Sequence, residues 1–201
     1  MSGIIQLTTP LSEESIRCLR VGDRVTISGS VFTARDAVHK RLAGENSLPA
    51  GVNFEGAAIY HCGPVVVQNS SGQWQILAAG PTTSARAELY LPDMIRKFGL
   101  RAVIGKGGMG TKSLHAMKTH GCVYLHAVGG AAQVLAECIT AVEGVWFIDE
   151  FGAPEAMWKL LVANLPAVVT MDAHGNSLHE CVRSASMAEL TKLFQDPGLK
   201  G

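Results

Sequence analysis

The chain has no long uncharged apolar run, so it offers no candidate membrane span. Its first residues, Met1-Ser2-Gly3-Ile4-Ile5-Gln6, lack the basic region followed by an apolar one that marks a secretory signal. Neither sign of charge is in excess: 17 basic side chains face 17 acidic ones, which gives no global field for nucleic acid. Any anion site must therefore be local. The 5 cysteines are odd in number, scattered, and form no C-x-x-C pair, which predicts free thiols in a reducing, cytoplasmic setting. Neither they nor the 7 histidines fall at zinc spacing. A [4Fe–4S] cluster needs about three or four cysteines placed together, and these are dispersed. No Gly-x-Ser-x-Gly elbow supplies a nucleophile, so Asp172-Ala173-His174 predicts a turn rather than part of a hydrolase triad. No repeat, low-complexity stretch or linker divides the chain, and residues 1–201 are expected to form one domain.

At 47% hydrophobic and 17% charged residues, the chain can build a sizeable core. The pattern along it is α/β with a mixed sheet. Ser12 predicts a cap for a helix to Leu19, and Arg24–Gly29 alternates as a strand. Thr33 predicts a cap for a helix over Ala34–Leu42. A loop follows over residues 46–54, then a strand over Ala57–His61 and a hairpin built from Val65–Gln68 and Trp74–Ala78. Further strands are expected over Leu100–Gly105, Cys122–Ala127, within Val142–Phe151, and over Pro166–Asp172. Helices are expected near Lys112–His120, Ala131–Cys138, Pro154–Ala163 and Ala185–Phe194, with a frayed end from Asp196.

Two adjacent strand–turn–helix units carry the chemistry. In the first, Gly80-Pro81 breaks an apolar strand, and Thr82, Thr83 and Ser84 precede a helical pattern through Arg96 that Pro92 bends or splits. In the second, Leu100–Gly105 runs into Lys106-Gly107-Gly108-Met109-Gly110-Thr111. Glycines there permit close approach of backbone to a ligand. Such turns gather at the carboxyl ends of strands in open α/β sheets. With Arg86, Lys106 and several hydroxyls they describe a pocket for a carboxylate or phosphate. Arg35, in the first turn of its helix with His39 on the same face, is a cation at the disfavoured end of a helix dipole unless an anion is near. The lysine of the glycine turn comes before its glycines, opposite to a Walker loop, which argues against nucleotide binding. His61-Cys62 suggests a catalytic thiol, but a cysteine in an apolar strand is more often inert.

These motifs together carry a resemblance. Gly80-Pro81-Thr82-Thr83-Ser84-Ala85-Arg86, Lys106-Gly107-Gly108-Met109-Gly110, the run Gly29–Leu42, Tyr60-His61-Cys62-Gly63-Pro64 and Met171–Asn176 resemble the β subunit of L(+)-tartrate dehydratase and the C-terminal domain of class I, iron–sulfur fumarases. The resemblance covers residues 6–180 or so, nearly all of the chain. It implies a swivelling β/β/α domain that packs on a larger partner. It implies a hydro-lyase acting on a 2-hydroxy dicarboxylate, as in tartrate to oxaloacetate or malate to fumarate. The [4Fe–4S] cluster would lie in an α subunit, its iron a Lewis acid toward the substrate hydroxyl, in an α2β2 assembly. Arg35, Arg86 and Lys106 would hold carboxylate. Thr82 would take the C3 proton or relay it, with Arg86 or Lys106 stabilising the charge. Ser84, Gly107, Gly108 and His61 would line the pocket. The competing expectation is a non-catalytic anion-binding or regulatory subunit without its catalytic partner.

Overall fold

In the computed structural model, which describes residues 3–45 and 47–195, three short strands form the centre. They are β3 (Ala58–Tyr60), β6 (Ala102–Gly105) and β7 (Val123–His126), paired in parallel in that order. Met1, Ser2, Asn46 of the expected loop and the expected frayed end from Asp196 lie outside the described residues. Ala58, Tyr60, Ala102, Ile104, Val123 and Leu125 enter one apolar core, while Ile59, Val103 and Tyr124 enter another. Both faces are covered, which is why these strands read as continuous apolar runs.

The second core lies under three helices. Helix α2 (Asp36–Gly44) contributes Val38 and Leu42. Helix α3 (Leu91–Phe98) contributes Met94 and Ile95, and α4 (Thr111–His120) contributes Ala116 and Met117. The first core is closed by more β structure: β8 (Ile139–Trp146), β9 (Met157–Met171) and the antiparallel hairpin β4 (Val65–Gln68) with β5 (Trp74–Ala78). The layers are therefore β, β and α. The sheet order is β1-β2-β3-β6-β7-β9-β8, with β1 (Ile5–Thr8) parallel to β2 (Arg24–Thr33). Between β1 and β2 runs α1 (Glu13–Cys18), capped by Ser12 as expected. Because β9 also pairs antiparallel with β2, the strands β2-β3-β6-β7-β9 close into a ring.

Strand β9 corrects the expected helix over Pro154–Ala163. Trp158, Leu160 and Val162 are buried, while Lys159 and Leu161 between them are half-buried, a period of two. Leu160 is flanked by Val31 of β2 and Val142 of β8. Pairing on both sides outweighs the local preference that Pro154 suggested. Pro166 sits in the same strand at an exposed position, beside the positive-φ Asn164.

Other boundaries move for local reasons. Thr33 is the last residue of β2 and does not cap a helix. Its hydroxyl donates to Ala156 O at 3.3 Å and accepts the Trp158 N–H at 3.0 Å. Helix α2 begins after Arg35, and the carboxylate of Glu155 accepts the Ala37 N–H. The single helix expected after Thr82 is two elements, a 3-10 helix Ser84–Leu89 and then α3, with Pro92 in the first turn of α3. No hydroxyl caps the 3-10 helix. After β7 and α5 (Ala132–Glu137), one turn of helix α6 (Ile148–Phe151) follows β8. Helix α7 (Leu178–Gln195) starts earlier than its expected segment and presents Val182, Met187, Leu190, Leu193 and Phe194 outward. No helix among the described residues is long and apolar enough to cross a membrane.

The N-terminus of α4 already holds an anion. Glu88, from the 3-10 helix, accepts the N–H groups of Gly110 at 2.8 Å and of Lys112 and Ser113 at 3.1 Å, and the Ser113 hydroxyl at 2.6 Å. The positive end of the helix favours this charge. It ties the segment of Thr82 to the turn of Lys106. Glu88→Ala should cost about 1–3 kcal/mol of stability, from lost caps and charge-assisted hydrogen bonds. Urea unfolding measures it; a loss within about 0.5 kcal/mol, typical of an uninvolved surface site, would remove Glu88 from this role.

Candidate active site

The predicted site residues converge where β3 and β6 end. Thr82 folds back on β3: its N–H and its hydroxyl both donate to the His61 carbonyl, at 2.7 and 3.2 Å. Lys106 then meets the same segment. Its N–H donates to Thr82 O at 3.3 Å, and Ser84 N–H donates to Lys106 O at 3.1 Å. Thr83 and Lys106 thereby form a parallel bridge that continues the sheet for one step. His61, Thr82, Ser84 and Lys106 are locked together by backbone rather than by side-chain reach. Gly107 and Gly108 follow with φ of 85° and 77°, the left-handed region expected of that turn.

Beneath this surface lies a polar cluster. His61 Nδ1 is 2.7 Å from Ser84 Oγ, and the Tyr124 hydroxyl donates to the same oxygen at 2.8 Å. Gly105 makes room for it. A Cβ there would collide with Ser84 Oγ and sit 2.9 Å from Tyr124 Oη and 3.3 Å from His61 Nδ1. The His39 ring packs edge-on to His61, centroids 4.8 Å apart, and its Nδ1 faces Met94 Sδ at 3.0 Å.

Both arginines meet the start of α2: Arg35 is its cap residue, and Arg86 reaches it from the 3-10 helix. Arg86 Nε is 3.1 Å from the Asp36 carboxylate, and this pair is about half exposed. Arg35 Nε is 3.1 Å from Glu155 in a more buried pair, and its Nη1 donates to Pro154 O. The anion that a cation at this helix start calls for is therefore present as Glu155. Gly63 lets Arg35 lie flat: a Cβ there would fall 2.7 Å from Arg35 Cδ. Lys106 is paired with no carboxylate among the described residues.

Burial sets the charge states. It holds the His61 imidazole well below its usual range, helped by His39 and by the positive Arg86. Burial likewise lowers His39 to about 4, against the opposing pull of Asp36. Burial pushes the Tyr124 phenol up to about 12, against Ser84 and the Gly108 amide. It pushes the Cys62 thiol up to about 12, outweighing Arg35 and Tyr60, so Cys62 is core and no nucleophile. At Asp172 burial raises the carboxyl, but hydrogen bonds from Asn176, His174 and Val21 prevail and lower it. That carboxylate ties the turn after β9, as the sequence predicts, and is no triad member.

Sequence reasoning did not find Tyr124, Gly105, Glu88 or Asp36. Tyr124 sits in an apolar strand and reads as core. The signal that could have found it is Gly105, a strand-end glycine with no turn to make.

The arrangement joins the segments that carry Thr82, Lys106 and Arg86 by backbone bonds, and ties Arg86 through Asp36 to the helix start next to Arg35, with the neutral imidazoles of His39 and His61 buried beneath. It is suited to binding a dianion and moving a proton. Residues 2–182 match the family described as "Fumarase C-terminus", and the chain belongs to that family. It is 55% identical over 194 residues to a Geobacillus stearothermophilus protein named "Putative fumarate hydratase class I", covering 96% of this chain and 37% of that one. It is 38% identical over 189 residues to the "Putative L(+)-tartrate dehydratase subunit beta" of Methanocaldococcus jannaschii, covering 92% and 95%. It is 35% identical over 191 residues to the L(+)-tartrate dehydratase subunit beta of Escherichia coli K12, covering 94% and 90%. The chain thus spans little over a third of the fumarate hydratase relative and nearly the whole of the β subunits.

The buried imidazoles predict an acid-labile fold. His39 faces His61, Met94 and Asp36; His61 faces Ser84, His39 and Arg86. Both take up protons more readily in the unfolded chain. Stability should be unaffected above pH about 6.5 and should fall as pH drops from there toward about 4, by up to roughly 1.4 kcal/mol per pH unit for each histidine. Urea unfolding at stepped pH checks this, and His39→Leu should flatten the slope. A wild-type profile without slope would mean that these rings protonate in the folded chain.

Proposed function

We propose that this chain is the β subunit of an iron–sulfur-dependent hydro-lyase, located in the cytoplasm, which removes water from a 2-hydroxy dicarboxylate of the tartrate or malate kind. The observation that carries the reading is the backbone lock between the Thr82–Ser84 segment and Lys106, which joins the strand end bearing that lysine to the segment bearing the Thr82 hydroxyl. Full-length kinship to β subunits supports it.

The donor set of this chain does not fit a cluster. Cys18 and Cys181 are exposed, Cys62 and Cys122 are buried, and Cys138 lies between. Among the described residues no group of three or more His, Cys, Asp or Glu side chains could hold a metal. The cluster belongs in this reading to an α subunit, with an α2β2 assembly and residues 1–201 acting as one unit. The rim of Arg35, Thr82, Arg86 and Lys106 is then the face that meets the partner.

Within this chain, Arg86 and Lys106 bind one carboxylate of the dianion, and Arg35 adds a further contact through nitrogens that Glu155 leaves free. Arginine can hold a carboxylate through two parallel hydrogen bonds. Thr82 Oγ carries the C3 proton. A neutral threonine is a weak base, so the positive charges of Lys106 and Arg86 must favour its deprotonated form. Ser84, Gly107, Gly108 and His61 shape the floor.

Two substitutions in the chain reconstituted with its α subunit should fail differently. Arg86→Lys keeps the charge but loses the fork, and should raise KM about 10- to 150-fold with kcat spared, the value of one charge-assisted hydrogen bond. Thr82→Ala should leave binding intact and lower kcat by about 10²–10⁴. Steady-state kinetics on tartrate, malate and fumarate decide. A Thr82→Ala enzyme with normal kcat would leave Thr82 a structural residue, and a wild-type pair inactive on all three would make the chain a non-catalytic anion-binding subunit.

The chain alone should stay colourless after anaerobic treatment with iron and sulfide. Visible absorption of a stable cluster on this chain would contradict the division of labour between two subunits.

A further inference from the structure

The hydroxyl of Tyr124 is fully buried and belongs to no residue that the proposed chemistry uses. One arrangement of its hydrogen bonds gives every hydroxyl proton of the cluster an acceptor. A neutral phenol must donate, and the acceptor in reach is Ser84 Oγ at 2.8 Å. Ser84, having accepted, turns its own proton to the other partner, His61 Nδ1 at 2.7 Å. His61 is neutral, so its proton sits on Nε2. That nitrogen is buried without a partner among the described residues, and so is Nε2 of His39. Met94 Sδ can only accept, so His39 Nδ1 donates to it and His39 Nε2 is left as an acceptor. The two unpartnered nitrogens are thus complementary, a donor and an acceptor on rings 4.8 Å apart.

We propose that Tyr124 is a positioning residue, which through Ser84 fixes the Nε2–H tautomer and orientation of His61, and so holds the carbonyl on which Thr82 hangs. The carbonyl of His61 receives both the N–H and the hydroxyl of Thr82. The ring of His61 is held on one side by Ser84 and on the other by His39. Tyr124 Oη is the end of this chain. The phenol therefore couples strand β7 to the Thr82–Ser84 segment. Gly105 is the space that the coupling occupies. The kinetic part of this inference rests on the hydro-lyase reading; the tautomer does not.

The test has two arms. Long-range imidazole ¹⁵N spectra of the full chain should show His61 protonated at Nε2 and unprotonated at Nδ1, and Tyr124→Phe should mix the tautomers or broaden the signals. Tyr124→Phe keeps the ring and removes one atom, so the fold should persist; Ser84→Ala should disturb the same signals with Tyr124 intact. In the chain reconstituted with its α subunit, Tyr124→Phe should lower kcat about 10- to 100-fold with KM nearly unchanged, since misplacing a reacting group by about 1 Å can cost that much. A wild-type His61 protonated at Nδ1 overturns the inference whatever the enzyme does. So does an unchanged kcat in Tyr124→Phe, or a matching rise in KM and fall in kcat. An inactive wild-type pair would sink the hydro-lyase reading and with it the kinetic role, while the spectra still decide the tautomer.

Discussion

Strand β9 makes antiparallel pairs with β2, β7 and β8, and these pairings turn an open sheet into a closed one. Its longest partnership, with β2, runs from Arg24 opposite Val168 to Phe32 opposite Lys159. The register slips between Ile27 and Gly29, opposite the positive-φ Asn164, where the strand bends around the core. Closure holds the three central parallel strands in fixed relation. Their carboxyl ends are then fixed too, and with them the turns that carry His61, Thr82 and Lys106. Lengthening the sheet by one isolated bridge, Thr83 with Lys106, transmits this rigidity to the rim. A site built on strand ends is held more narrowly than one built on loop tips.

The cost of the arrangement lies underneath. Four polar side chains, His39, His61, Ser84 and Tyr124, are buried between a sheet and its helices. Buried polar groups destabilise unless their hydrogen bonds are made. Here most are made, and the two nitrogens that are not match one another in character. Gly105 shows that the cluster is specified. Its strand conformation would suit any residue, but a side chain there would expel Ser84 Oγ.

Much of the fold is legible in the sequence. The apolar runs at Ala57–His61, Leu100–Gly105 and Cys122–Ala127 locate β3, β6 and β7, because strands buried on both faces need continuous apolar side chains. The hairpin and the Ser12 cap are local signals and appear as expected. The segment after Pro154 is different. Its alternation is real, yet a proline at a helix start is also a sound local signal, and only pairing with β2 and β8 decides between them. Similarly, Thr33 is a good cap by type, and its hydroxyl is taken by β9 instead. At the site, the chain segments that meet were legible from the glycine turns and hydroxyls. The partners that tune them, Tyr124, Asp36, Glu88 and Glu155, were not, because each pairs with a group distant from it in sequence.

Those internal carboxylates change how an anion could bind. The start of α4, a natural seat for a carboxylate, is filled by Glu88, and the start of α2 by Glu155. A substrate dianion must use side-chain cations instead, and these differ in availability. Arg86 meets Asp36 through Nε in a half-exposed pair, which solvent screens and which contributes little, within about 1 kcal/mol. Its terminal nitrogens remain free to grip a carboxylate. Arg35 is more buried, close to the Glu155 carboxylate and donating to Pro154 O. Lys106 has no carboxylate partner among the described residues. In the proposed reading, an incoming anion meets Lys106 and Arg86 first, and the more buried Arg35 takes the far end of the molecule.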